Sequence, residues 1–120
     1  MAQLDTLLAD AERTHREMQA VLSRDDEKVV REIIALRTKF AGLMAELSGA
    51  IKADGRLAAK PELAAEFEKR FLAVRQQLAQ HQAKFRMDLM QSDLPAYRAS
   101  VAEVGRAQDS FYNWARGALS

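Results

Sequence analysis

At 120 residues the chain fits a single domain spanning 1–120, and folding removes roughly two thirds of its unfolded surface from water, enough for a core of its own. Eighteen Lys and Arg against 17 Asp and Glu leave a net charge of +1, which provides no electrostatic footprint for nucleic acid or anionic lipid. With no cysteine, a disulfide framework, a thiol nucleophile and thiolate-ligated metal are all excluded.

The opening residues carry Asp5 and no basic region before a long apolar stretch, so they do not read as a secretory signal. No apolar run reaches the length that spans a bilayer. The expectation is a soluble cytoplasmic protein that neither inserts into membranes nor binds nucleic acid.

Leu4, Leu8, Ala11, His15, Met18 and Leu22 recur in steps of four and three, one stripe of a helix over about 4–22. A second stripe begins at Val29 and runs through Ile33, Leu36, Phe40, Leu43, Leu47 and Ala50 with Ile51, for a helix over about 25–53. Between them Ser23 to Glu27 supplies no apolar residue at the seam position. Ser23 followed by Asp26 resembles a capping box, and the three acids suit the positive end of a new helix. This favours a tight turn over one continuous helix from Leu4 to Ala53, which would run roughly 75 Å and would leave three helices in all.

Asp54-Gly55 reads as a helix stop, and residues 54 to 60 as a loop. Pro61 suits the first turn of a helix over about 61–91, whose stripe is Leu63, Phe67, Phe71, Val74, Leu78, His81, Phe85 and Leu89. Ser92 or Asp93 can cap the last helix, about 94–118, with Pro95 in its opening turn. Its stripe is Leu94, Tyr97, Val101, Val104, Gln108, Phe111, Ala115 and Ala118, and Gly117 suggests a last turn that frays. The fold class is therefore all-α: an up-down bundle of four helices with short connections.

In such a bundle the first and third helices run parallel. His15 lies 7 residues before Leu22 and His81 lies 10 before Gln91, which places the two imidazoles within roughly 4.5 Å of one level. Facing core histidines are one way a bundle ligates haem or a metal, and Glu12 adds a Glu-x-x-His step with His15. The matching position before His81 is Leu78, so a di-iron pattern is incomplete. The plainer expectation has each histidine at the bundle edge, bonded to a side chain or water, with no cofactor.

Phe111, Tyr112 and Trp114 form the densest aromatic cluster, which either closes one end of the bundle or anchors a partner. Met87 and Met90 lie near the end of the third helix, where an adaptable apolar groove would open if the fourth helix moved. Lys69, Arg70, Arg75, Lys84 and Arg86 are interleaved with acids and glutamines and read as a solvated face. No nucleophile has a plausible base, so the chain is expected not to be an enzyme.

The order of features resembles the flagellar type III export chaperones of the FliT and FlgN kind. The residues that carry the resemblance are Met18-Gln19-Ala20-Val21-Leu22, the acidic break Ser23 to Glu27, Leu43-Met44-Ala45-Glu46-Leu47 and Phe85-Arg86-Met87-Asp88-Leu89. It covers about residues 10 to 92, and the tail from Leu94 to Ser120 has no counterpart in it. The resemblance implies a protein that holds a client helix in an apolar groove, with a C-terminal helix able to cover the client surface and a hinge at Ser92 to Pro95. The functional expectation is a non-enzymatic protein–protein interaction module whose partner is a protein client or a second copy of itself. The alternatives are a haem or metal sensor using His15 and His81, and a self-associating structural bundle.

Overall fold

The computed structural model describes residues 3–24, 26–85 and 93–120. Among these, the secondary structure is entirely helical: α1 Gln3–Leu22, α2 Val29–Ala53, the single turn α3 Gly55–Ala58, α4 Pro61–Lys84 and α5 Leu94–Leu119. The four long helices form a bundle of 48 × 25 × 20 Å. α1 packs against α2 on one side and α5 on the other, α5 packs on α4, and α4 meets α2 only sparsely. Thus α1 and α4 are diagonal.

Two arginines mark opposite ends of the bundle. Arg98 at the start of α5 donates to the carbonyls of Leu22 (2.7 Å) and Arg24 (3.1 Å), which satisfies acceptors that the end of α1 leaves without helical partners. Arg56 joins the Asp5 carboxylate (2.7 Å), Asp54 (2.8 Å) and the Leu119 carbonyl (3.4 Å), binding the start of α1, α3 and the end of α5 together. Paired this way, the Arg56 guanidinium holds the Asp54 carboxyl below its ordinary range.

The core divides in two. At the Arg56 end Leu4, Leu8, Leu47, Ile51, Phe67 and Phe111 belong to a large apolar cluster that Leu57 of α3 helps to close. At the other end Met18, Leu22, Val29, Ile33, Phe85 and Tyr97 belong to a smaller one. Between them lie the buried polar side chains Thr14, His15, His81 and Gln108. The helical stripes read from the sequence supply most of this core. Within α2, however, Met44 is buried and Leu43 only partly so, because the face rotates by one position.

The chain does turn after α1, so the single long N-terminal helix is not formed. The turn differs from expectation in its chemistry. α2 begins at Val29 rather than residue 25, and no side chain caps it. Ser23 Oγ instead donates to the Ala20 carbonyl (2.6 Å), closing α1, while Asp26 accepts from the Lys28 N–H (2.9 Å) in a local turn. Gly55 is not a left-handed stop either, since no glycine among the described residues has a positive φ. It opens α3, where the Asp54 carboxylate accepts from the N–H groups of Arg56 and Leu57.

Pro61 occupies the first turn of α4, and Asp93 caps α5 by accepting from Ala96 N–H (3.2 Å). The last turn of α5 is helical through Leu119 rather than frayed, with Ser120 Oγ donating to the Gly117 carbonyl (2.8 Å). α4 ends at Lys84 rather than running unbroken to Gln91, with Phe85 as its C-cap donating its N–H to the His81 carbonyl, while residues 86–92 and the Ser92 cap lie outside the described residues.

Candidate functional site

Both histidines reach the middle of the bundle. His15 on α1 and His81 on α4 line one cavity of about 20 Å³, together with Met18, Arg37, Tyr97 and Gln108. The count from the helix ends takes the third helix to Gln91, whereas α4 ends at Lys84. The two histidines are not edge residues, for His15 is 3% exposed and His81 9%.

Each imidazole turns Nδ1 toward α5. Tyr112 donates its O–H to Gln108 Oε1 (2.8 Å), which leaves the Gln108 amide nitrogen facing His15 Nδ1 at 3.4 Å. An amide nitrogen only donates, so His15 Nδ1 accepts and the ring proton sits on Nε2. His81 Nδ1 meets Ser100 Oγ at 2.6 Å, and its ring stacks on Tyr97 with centroids 5.1 Å apart.

Gly105 makes the first of these contacts possible. A Cβ at that position would lie 2.8 Å from His15 Nε2 and 3.0 Å from its Cε1. Burial lowers the pKa of His15, opposed by the Asp109 and Glu12 carboxylates, and lowers that of His81 to about 4, with Arg37 and Lys84 adding to the effect. Both rings are therefore neutral near pH 7. The His15 Nε2 and Tyr97 O–H groups are buried with no hydrogen-bond partner among the described residues.

This geometry suits packing rather than ligation of a large group. A space of about 20 Å³ admits one water-sized molecule, and a porphyrin there would displace Phe40, Leu78 and Tyr97 from the core. Glu12 does not join His15 as a ligand pair. Its carboxylate binds Arg16 (3.1 Å) and Arg116, so it ties α1 to α5 on the outside. Among the described residues no three His, Asp or Glu side chains gather as a metal site would require.

The aromatic cluster belongs chiefly to the core, closing one end of the bundle, so Phe111 and Tyr112 do not form the open partner anchor that is the other reading of their sequence. Phe111 and Tyr112 are buried, and Phe111 packs edge-on against Phe67 at 5.6 Å. Trp114 is half-buried, 5.3 Å from Phe67, and Arg70 lies over its ring at 4.5 Å. Arg70, read from the sequence as solvated, therefore lids an aromatic residue while pairing with Glu66 (2.7 Å). Met87 and Met90 lie outside the described residues.

The open surface of the bundle lies elsewhere, along the seam between α2 and α4. Three hollows follow one another there, with volumes of about 300, 160 and 240 Å³. Arg75 lines both the first and the second, and Ala41 and Gln82 both the second and the third, so they form one groove. Across the seam stand small residues, Ala41, Ser48 and Ala79, where interlocking helices would place large ones. At its lower edge is Leu72, 52% exposed, the one large apolar side chain of the described residues that stands out to this extent.

Arg37, Lys52 and Arg75 also line the groove, and none of the three meets a carboxylate among the described residues. No sequence argument singled out this seam. Its signal was Leu72, an apolar residue outside the third stripe, beside alanines at helical spacing. Compared with family models, curated proteins and solved structures, the chain matches none of them.

Proposed function

We propose that the protein is a non-enzymatic interaction module that holds a helix of a partner protein along the α2–α4 seam, in the manner of a small chaperone or regulator. The observation that carries this reading is the seam itself. The other three helix pairs of the bundle pack closely, while α2 and α4 leave a continuous groove with an exposed leucine at its edge. Helix-in-groove binding uses such a surface and needs no reactive side chain. The likeness to flagellar export chaperones agrees in kind but differs in place, because the groove is open with α5 docked and its aromatic residues buried.

Self-association through this groove is disfavoured on electrostatic grounds. A two-fold contact would set Arg37, Lys52 and Arg75 of one copy against the same cations of the other. The test replaces Leu72 with a photo-crosslinking amino acid in the full chain, in cells, with the exposed Glu103 of α5 as the control position. A heteromeric product that forms at 72, not at 103, and is lost when Ala41→Trp fills the seam supports the reading. Products at neither position, or only at the mass of a self-dimer, overturn it.

A further inference from the structure

We infer that the helix which the seam accepts is acidic and amphipathic. This rests on the interaction reading above and adds the chemistry of the partner. The first observation is the charge at the groove. Arg37 near its upper end, Arg75 at its centre and Lys52 at its lower end are spread along its length, against the single acid Glu68.

Elsewhere several arginines of the bundle are paired with carboxylates, although Arg31, Arg98 and Arg106 form no ion pair among the described residues. Arg16 and Arg116 share Glu12, Arg24 meets Asp26 and Glu32, Arg56 meets Asp5 and Asp54, and Arg70 meets Glu66. Arg37, Arg75 and Lys52 at the seam likewise form no ion pair among the described residues. Arg37 donates to the Phe85 carbonyl (3.1 Å), which satisfies a donor without bringing a carboxylate of the described residues to its charge. Arg75 lies 5.8 Å from the centre of the Phe71 ring, an apolar neighbour.

The second observation is dimension. From Ile34 to Lys52 the groove follows α2 for 19 residues, whose 18 steps of 1.5 Å make roughly 27 Å. A straight helix of about 18 residues fills that length. Its apolar stripe would lie over Ala41, Ala79 and the Leu72 side chain, where the small residues let a backbone come close. Carboxylates flanking that stripe would reach Arg37, Arg75 and Lys52. A basic helix would meet three like charges against one acid in the same position, so the discrimination comes from repulsion as well as attraction.

None of the chain's own described helices fits this description. α1 and α5 carry arginines among their acids, and their apolar faces are already buried in the core. The occupant is therefore a segment of another protein. The small, mainly apolar cavity that Arg37 and Gln82 help to line adjoins the groove, but its volume admits no partner side chain beyond a water-sized tip.

The experiment is a fluorescence-anisotropy titration of the full chain with two labelled 18-residue helical peptides. They share one leucine stripe and differ in having glutamate or lysine at the flanking positions. The glutamate peptide is expected to bind about tenfold or more tightly than the lysine peptide, with an advantage that shrinks as ionic strength rises. In the double variant Lys52→Glu and Arg75→Glu the order is expected to reverse. Both positions are exposed, and circular dichroism of the variant checks that the helices persist.

Equal binding of the two peptides, a preference for lysine, or binding of neither overturns the inference. So does a glutamate preference that the double variant leaves unchanged, since the peptide would then be bound elsewhere. Crosslinking at Leu72 with no acidic preference would sink this inference alone. Absence of crosslinking together with no peptide binding would sink the interaction reading as well.

Discussion

Where α5 lies between α1 and α4, buried side chains draw the helices together, with Gly105 admitting His15, Gln108 linking His15 to Tyr112, and Phe67 wedged against Phe111 and Trp114. Where α2 faces α4, Ala41, Ser48 and Ala79 lie among larger side chains along an open groove, whose cations form no ion pair among the described residues and share the lining with one acid, Glu68. All four helices carry an apolar stripe, so amphipathicity does not separate the two regions. The residues beside the stripe do. A pair of helices closes where the side chains of one fill the spaces between those of the other, and leaves a groove where they do not interdigitate. The sealed side spends its polar groups on internal bonds, and the open side keeps its charges facing outward.

The largest effect should come from the sealed side. Phe67→Ala removes a fully buried ring between two aromatic neighbours and should cost about 3–5 kcal/mol in urea denaturation. Leu72→Ala, five residues on and exposed at the seam, should change stability by about 0.5 kcal/mol or less. Comparable losses in the two variants would erase the distinction between the regions.

Glycines sharpen it next. Gly105→Leu forces atoms into the His15 ring and should cost about 3 kcal/mol, the upper part of the range for overpacking. Gly49→Ala, on the exposed face of α2 with no atom near its added Cβ, should stabilise by about 0.5–1 kcal/mol through helix propensity. A neutral or stabilising Gly105→Leu would mean that His15 is not held where the fold places it.

A smaller effect is expected from pH. His81 has its pKa lowered to about 4 in the folded protein, chiefly by burial, against about 6.5 for a free imidazole. As pH falls below about 6.5 the unfolded chain takes up this proton before the folded one. The contribution of His81 is therefore fully present above that value and is lost progressively down to about pH 4. His15 acts in the same direction. Chemical denaturation of the wild type and His81→Gln at several pH values between 7 and 4 should show a shallower fall in the variant. Parallel curves would mean that burial of this imidazole does not discriminate against its charge.

Much of the scaffold was legible in the sequence because periodicity, proline and aspartate act locally. Pro61 and Asp93 open their helices as residues of those types do, and the seam positions from Leu4 to Leu22 are buried as their spacing implies. The turn near Ser23 was legible as a gap in the stripe, yet its bonding was not. Ser23 had two carbonyl and amide neighbourhoods within reach, and which it joined depended on where α2 could start while burying Val29.

The roles of the candidate residues were less legible. Tyr112 and Trp114 differ by two positions on one helix, which turns one inward to Gln108 and the other beneath Arg70. Only the angle at which α5 meets α4 assigns those places. Gly105 carried no sign of its purpose, because a helical glycine without a positive φ is explained by what approaches it from another helix.

The chain by itself determined an all-helical bundle, the place of its two histidines on the apolar stripes of their helices and the exclusion of thiol chemistry, since each follows from composition or from spacing along one helix. The tertiary structure alone decided that α1 and α4 are diagonal, that α5 seals the aromatic residues, and that α2 and α4 leave a cationic groove. Packing between helices depends on pairs of surfaces brought together from distant parts of the chain, and periodicity within one helix carries no record of which surface it will meet.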